Sequence, residues 1–140
     1  MNDQISVIIP TYCRAVSTLH AAVQSVKEQD VPVLEIIIID DNYDTSLSKD
    51  IVSYCQENAL VYAASGNAGA AVARNIGINI AQGSFIAFLD DDDTWLPNKL
   101  SMQIPLFSNS NVGLVYSRGY TVKVDDYGNI LKKPYATDSY

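Results

Sequence analysis

The stretch "LEIIIIDDN", residues 34–42, decides how the rest of the chain is read. Four consecutive isoleucines cannot alternate with polar residues, so a strand built from them is buried on both faces. Its abrupt end at Asp40-Asp41-Asn42 marks a strand stopping at a polar loop. Strands of this kind belong to parallel sheets covered by helices on either side.

Working outward, the neighbouring segments supply those helices. Ile5 to Pro10 is a short apolar run ending at a turn and reads as a first strand. From Ala15 to Gln29 the residues Leu19, Ala22, Val23 and Val26 recur at helical spacing, until "DVP" breaks the pattern. Ser46 to Asn58 places Leu47, Ile51, Tyr54 and Cys55 on one helical face. "LVYA" (60–63) reads as a third strand and "SGNAG" (65–69) as a loop. Gly69 to Ala81 carries Val72, Ala73, Ile76 and Ile80 at helical spacing, with Gly83 read as the helix stop. Ser84 to Leu89 is the fourth strand, and Pro97 opens a helix over Lys99 to Phe107. "VGLVYS" (112–117) is expected as a fifth strand. Residues 119–133 are expected as a hairpin turning near Tyr127-Gly128, and 134–140 as a tail. Strands alternating with helices imply an α/β fold with a mainly parallel central sheet, in one domain over 1–140.

Bulk properties narrow the function. At 48% hydrophobic and 18% charged, the 140 residues read as a globular chain with a core of its own. No apolar run approaches the roughly 18 residues of a membrane span. The opening "MNDQISVIIP" has no basic segment ahead of its apolar run and reads as a strand, not a signal peptide. Cys13 and Cys55 are then expected as reduced thiols, Cys13 as a small buried one. His20 is the single histidine, which rules out a multi-histidine metal site, and its expected place is solvated. A net charge of −7 with no basic cluster beyond Lys132-Lys133 argues against nucleic acid as a partner.

The acids themselves are not spread evenly. "SFIAFLDDDDTWLP" (84–97) puts Asp90, Asp91, Asp92 and Asp93 together behind an apolar strand. Such neighbours repel by an amount on the order of 1 kcal/mol per pair even in water. Asp40 and Asp41 stand at another strand end, and open α/β sheets bind ligands beyond the carboxyl ends of their strands. Single acids there serve as caps or turn formers. A run of four with a second pair favours a hard divalent cation, Mg²⁺ or Mn²⁺, held with a diphosphate.

Taken together, "ISVIIPTYCR", "EIIIIDDNYD" and "NAGAAVARNIGINIAQGSFIAFLDDDDTW" resemble the family 2 glycosyltransferases of the GT-A fold. The resemblance runs from about Ile5 to Phe107 and rests on four pieces in the right order and spacing. It implies a Rossmann-like GT-A sandwich holding the nucleotide-sugar-binding portion, truncated on its C-terminal side. It implies transfer of a sugar, with inversion, from a nucleotide-diphosphate donor such as a UDP-sugar to a glycan or lipid-linked acceptor. Mn²⁺ or Mg²⁺ is the implied cofactor. The implied location is cytoplasmic, with peripheral association at the cytoplasmic face of a membrane.

Carried over by position, the resemblance assigns Pro10, Thr11 and Tyr12 to the nucleotide base and Asp40 to a hydrogen bond with it. Asp91 is assigned to the ribose and Asp92 to the metal, with Asp90 and Asp93 in support. Arg74 and Asn75 match the family's "ARN" near the donor nucleotide. Trp95 is expected to anchor the acidic loop to the core. The catalytic base finds no place, because Asp125 and Asp126 read as a turn and Asp138 lies in the tail. Two other classes stay open: a binding module without an acceptor half, and a receiver-like signalling domain. The latter calls for a lysine at a late strand end, where this chain has Arg118-Gly119.

Overall fold

The computed structural model describes residues 4–42, 45–124 and 130–134. Two compact units divide the chain, Met1–Ile104 and Pro105–Tyr140.

The first unit is built on a four-stranded sheet: β1 (Ile5–Thr11), β2 (Glu35–Asp40), β3 (Val61–Ala64) and β4 (Phe85–Phe88). The strand order is β3-β2-β1-β4 and every pairing is parallel. Helices α1 (Val16–Lys27), α2 (Ser46–Glu57) and α3 (Ala70–Ile80) make the crossovers. The quoted isoleucines behave as a doubly buried strand should. Ile36 and Ile38 join one core with Ile5, Val7 and Ile9 of β1, Leu19 and Val23 of α1, and Ile51 of α2. Ile37 and Ile39 turn to the other face, where they meet Ile8 and Ala73 of α3. Period two thus divides one sequence run between two helical layers.

Against the sheet, α3 uses its smallest residues. Ala73 and Gly77 are buried, while Val72 and Ile80, expected on the buried face, are 41% and 39% exposed. A methyl group built on Gly77 would lie 2.5 Å from Cγ2 of Ile8. The close approach narrows the buried stripe, so residues flanking it are left outside.

Gly83 is not the helix stop expected of it. The helix closes at Ala81, and Gly83 instead lies against β1, where a Cβ would stand 2.7 Å from the Ser6 backbone nitrogen. Its own N–H donates to Ser6 Oγ at 2.9 Å, and that hydroxyl donates to Glu35 Oε1 at 2.6 Å. The missing side chain lets the chain enter β4 flush with its neighbour.

A short helix α4 (Lys99–Gln103) gives way to a 3₁₀ turn over Ile104–Ser108, shortening the helix expected to Phe107. Pro105 has no N–H to continue the α-helical ladder. Residues 112–117 form no strand: "VGLVYS" has no ladder partner among the described residues, and Leu114 and Tyr116 are 80% and 84% exposed. An apolar run becomes a strand only when another strand satisfies its backbone. In the second unit β5 (Tyr120–Val124) and β6 (Ile130–Pro134) pair antiparallel, as the hairpin expectation requires. Its turn near Tyr127-Gly128, and Asp125, Asp126 and Asp138, lie outside the described residues. Among the described residues no helix is long and apolar enough to cross a membrane.

Candidate donor site at the strand ends

The chain runs from β1 through β2 to β3 on one side, then returns to place β4 on the other side of β1. A reversal of this kind opens a crevice beyond the carboxyl ends of β1 and β4, the neighbours between which the order reverses. Here it is a cavity of about 530 Å³, within the size range of small-ligand sites. Every segment that leaves a strand end contributes to its wall. Pro10, Thr11, Tyr12 and Arg14 come from the end of β1, and Asp41 from the end of β2. Asn67, Gly69, Ala70 and Arg74 come from the loop after β3 and from α3, and Asp90, Asp91 and Asp92 from the loop after β4.

The acidic run does not stand unneutralised. Asp91 is 7% exposed and accepts from Thr11 Oγ1 at 2.7 Å and from Arg14 Nε at 3.3 Å. A terminal nitrogen of the same guanidinium donates to Asp92 Oδ2 at 2.5 Å. On the opposite side Arg74 donates to Asp90 Oδ1 at 2.6 Å. Two arginines therefore bind three successive carboxylates, and the repulsion within the run is offset inside the protein. Asp93 is exposed and lies outside the cavity wall. Its carboxyl is pushed above the usual range by partial desolvation, then by the charges of Asp92 and Asp90.

The acids at the end of β2 separate into two roles. Asp40, expected at the base, is completely buried and does not line the cavity. Strand alternation places it on the same side as Ile36 and Ile38. There its Oδ1 accepts from the N–H and the side-chain amide of Asn42, at 2.9 and 2.6 Å, and its Oδ2 from Tyr62 Oη at 3.1 Å. Burial, then the Asp40 charge and this hydrogen bond, push the Tyr62 hydroxyl up to about 12, so it remains a donor. Asp41, one residue on, has left the strand and reaches the cavity wall. It accepts from Ser65 Oγ at 2.5 Å, from the Ala68 N–H at 2.8 Å and from the Gly69 N–H at 3.0 Å. Asp41 thus shapes the loop that opens α3, whose backbone takes positive φ at Gly66, Asn67 and Gly69.

Cys13 is exposed, not buried. It sits in a turn with φ of 52°, and its N–H donates to Asn42 Oδ1 at 2.9 Å. Asn75 is exposed on α3 and does not line the cavity. Trp95 packs partly buried against the larger core, and its N–H donates to Ser25 Oγ at 3.1 Å, so it anchors the acidic loop. His20 is exposed, with Nδ1 3.1 Å from Tyr54 Oη. Arg14, Asn67, Gly69 and Ala70 were not singled out by the sequence, although "GNAG" marks a loop and Arg14 closes the first quoted motif. Among the described residues no group of three or more Asp, Glu, His or Cys is arranged as a metal cage.

A parallel sheet with a strand-order reversal and an acidic loop at the crevice is the arrangement of the GT-A fold. The sequence model described as "Glycosyl transferase family 2" matches residues 6–138, and the chain belongs to that family. It is 34% identical over 112 residues to the Escherichia coli UDP-Glc:alpha-D-GlcNAc-diphosphoundecaprenol beta-1,3-glucosyltransferase WfgD, covering 80% of this chain and 44% of that protein. It is 35% identical over 138 residues to the putative teichuronic acid biosynthesis glycosyltransferase TuaG of Bacillus subtilis, covering 96% and 54%. The chain therefore spans about half the length of these relatives. Among solved structures, S. aureus TarS superposes with a TM-score of 0.63 at 24% identity, over 85% of this chain and 20% of that one. The mannosyltransferase PcManGT from Pyrobaculum calidifontis, in complex with GDP-Man and Mn²⁺, superposes with a TM-score of 0.57 at 23% identity, over 71% and 30%.

Proposed function

We propose that this chain forms the donor-binding portion of a metal-dependent glycosyltransferase. The enzyme would pass a sugar, with inversion, from a UDP-sugar to a lipid-linked or glycan acceptor. One observation carries the reading: the cavity at the strand-order reversal gathers carboxylates and arginines from four separate segments. UDP as the nucleotide is supported by the names of relatives such as WfgD, and by a TarS fragment solved with UDP at 25% identity and a TM-score of 0.56. A lipid-linked acceptor, which would bring the enzyme to the cytoplasmic face of a membrane, is supported by the WfgD name.

The residues present fit a divalent cation. Mg²⁺ and Mn²⁺ take oxygen ligands, and phosphate-handling sites need only one or two carboxylates beside the diphosphate and water. The Asp92 side chain, 48% exposed on the cavity wall, is such a ligand, with Asp90 in support. The ion would offset the negative charge that develops on the departing diphosphate. The protein's own groups do the rest. Arg74 adds charge-assisted bonds to phosphate oxygens. Asp41 keeps acceptor capacity for the nucleotide, since Oδ2 receives one close N–H and a carboxylate oxygen takes more. Pro10, Thr11 and Tyr12 border the nucleotide, and Asp91 holds the β1 end against the acidic loop.

Calorimetry with UDP, with and without Mn²⁺, tests this. Binding should require the ion, and Asp92→Ala should remove that requirement together with most of the affinity. Equal and poor binding of UDP and GDP under both conditions overturns the assignment. A binding module without transfer activity, compatible with the chain's half-length match, binds UDP-sugar in the same way. It is distinguished by the absence of sugar transfer or slow donor hydrolysis.

A further inference from the structure

Arg14 lies at the point where the cation would act. Its Nε binds Asp91 at 3.3 Å and its terminal nitrogen binds Asp92 at 2.5 Å, while its side chain remains 45% exposed and lines the cavity. The two carboxylates differ in what else holds them. Asp91 keeps the Thr11 hydroxyl at 2.7 Å and is nearly buried, whereas among the described residues Arg14 is the one hydrogen-bond partner of the Asp92 carboxylate. The oxygen best placed to coordinate a cation is therefore occupied by a positive charge of the protein itself.

We propose that Arg14 is a built-in competitor of the divalent cation, and that it makes metal and nucleotide diphosphate bind as a pair. The proposal rests on the donor-site reading above. In the structure the guanidinium neutralises Asp91 and Asp92. An ion arriving alone must displace it, and like charges then stand side by side with nothing between them. An ion arriving with a diphosphate brings a new acceptor. The guanidinium fork suits two phosphate oxygens as well as it suits carboxylates, so Arg14 exchanges one anion for another within the same cavity. The result is a coupling free energy: the diphosphate tightens the metal, and the metal tightens the diphosphate by the same factor. A lysine could supply the charge, but not the paired bonds to two adjacent acids.

The test titrates Mn²⁺ into the protein and follows the free-ion electron paramagnetic resonance signal, first without and then with saturating UDP. Arg14→Gln should bind Mn²⁺ alone about tenfold more tightly than the parent, within the range typical of coupled sites, and should lose most of the tightening that UDP confers. Arg14→Lys should fall between the two. The exposed position of Arg14 makes both variants compatible with folding, which a thermal melt verifies. If Arg14→Gln binds Mn²⁺ alone no more tightly, the competitor role is overturned. The metal site then still stands, provided that Asp92→Asn loses the ion. If neither parent nor variant takes up Mn²⁺ while UDP still binds, the competitor role falls, and so does the metal part of the donor-site reading.

Discussion

Thr11 Oγ1 donates to Asp91 Oδ2 at 2.7 Å, joining residues 80 positions apart in the chain. The bond ties the last residue of β1 to the acidic loop after β4, across the crevice left by the reversal of strand order. Both residues are buried, so water does not readily replace the bond when it is lost, and Asp91 is then left with Arg14.

Thr11→Val keeps the shape and removes the donor. A buried carboxylate left with one partner fewer costs about 1–3 kcal/mol. Urea denaturation should show that loss, and Thr11→Ser should recover most of it. UDP affinity in the presence of Mn²⁺ should fall with Thr11→Val, because Asp91 no longer fixes the loop that carries Asp92.

Asp40 and Asp41 should separate stability from binding. Asp40→Asn leaves Tyr62 and Asn42 facing a poorer acceptor, and should lower stability by about 1–3 kcal/mol while UDP affinity changes little. Asp41→Asn acts on the cavity wall and on the N–H groups of Ala68 and Gly69. It should weaken UDP binding by about tenfold or more, as expected when a hydrogen bond to a charged group is lost. Denaturation and calorimetry on the same two variants decide the matter, and a reversed pattern would return the base-side role to Asp40.

Tyr62 supplies the pH dependence. Its hydroxyl is raised from 10.0 to about 12, so the folded chain keeps a proton that the unfolded chain releases. The stability it contributes is complete below pH 10 and is lost as the pH rises towards 12. Tyr62→Phe should therefore be less stable than the parent at pH 7 by about 1–2 kcal/mol, through loss of the bond to Asp40. The difference should shrink between pH 10 and 12. Urea midpoints for the pair at pH 7, 9 and 11 test both the size and the sign.

The glycines at the sheet should respond unequally to a methyl group. In Gly77→Ala the new group meets the side chain of Ile8, and overpacking of about 1–3 kcal/mol is partly offset by the better helix propensity of alanine. In Gly83→Ala it meets backbone atoms of Ser6 and Gln4 at 2.7 and 2.8 Å, which cannot rotate away. Thermal melts should place Gly83→Ala well below Gly77→Ala.

The first unit was largely readable from the chain itself. The strands β1 to β4 and the helices α1 to α3 fall within a residue or two of where period and turn residues put them. The apolar positions of β1, β2 and α1 are buried as the pattern implies, whereas α3 buries Ala73 and Gly77 and leaves Val72 and Ile80 exposed. Residues 112–117 misled because apolarity reports a wish to be covered, not the presence of a neighbouring strand. Asp40 and Asp41 are adjacent and chemically identical. Only the place where the strand stops tells which one faces the interior, and boundaries are the least certain part of any pattern. Arg14 left no periodic signal, since its importance comes from partners 77 and 78 residues away. Cys13 passed for a buried thiol because composition says nothing of a left-handed turn.

The grip of Asp41 on Ser65, Ala68 and Gly69 has a mechanical consequence. The tip of β2, the glycine loop and the N-terminus of α3 share one fastening, so none of the three can shift without straining the bonds to Asp41. Adjustment to ligands of different bulk would then fall to the opposite rim, where the half-exposed Arg14 can exchange its contacts.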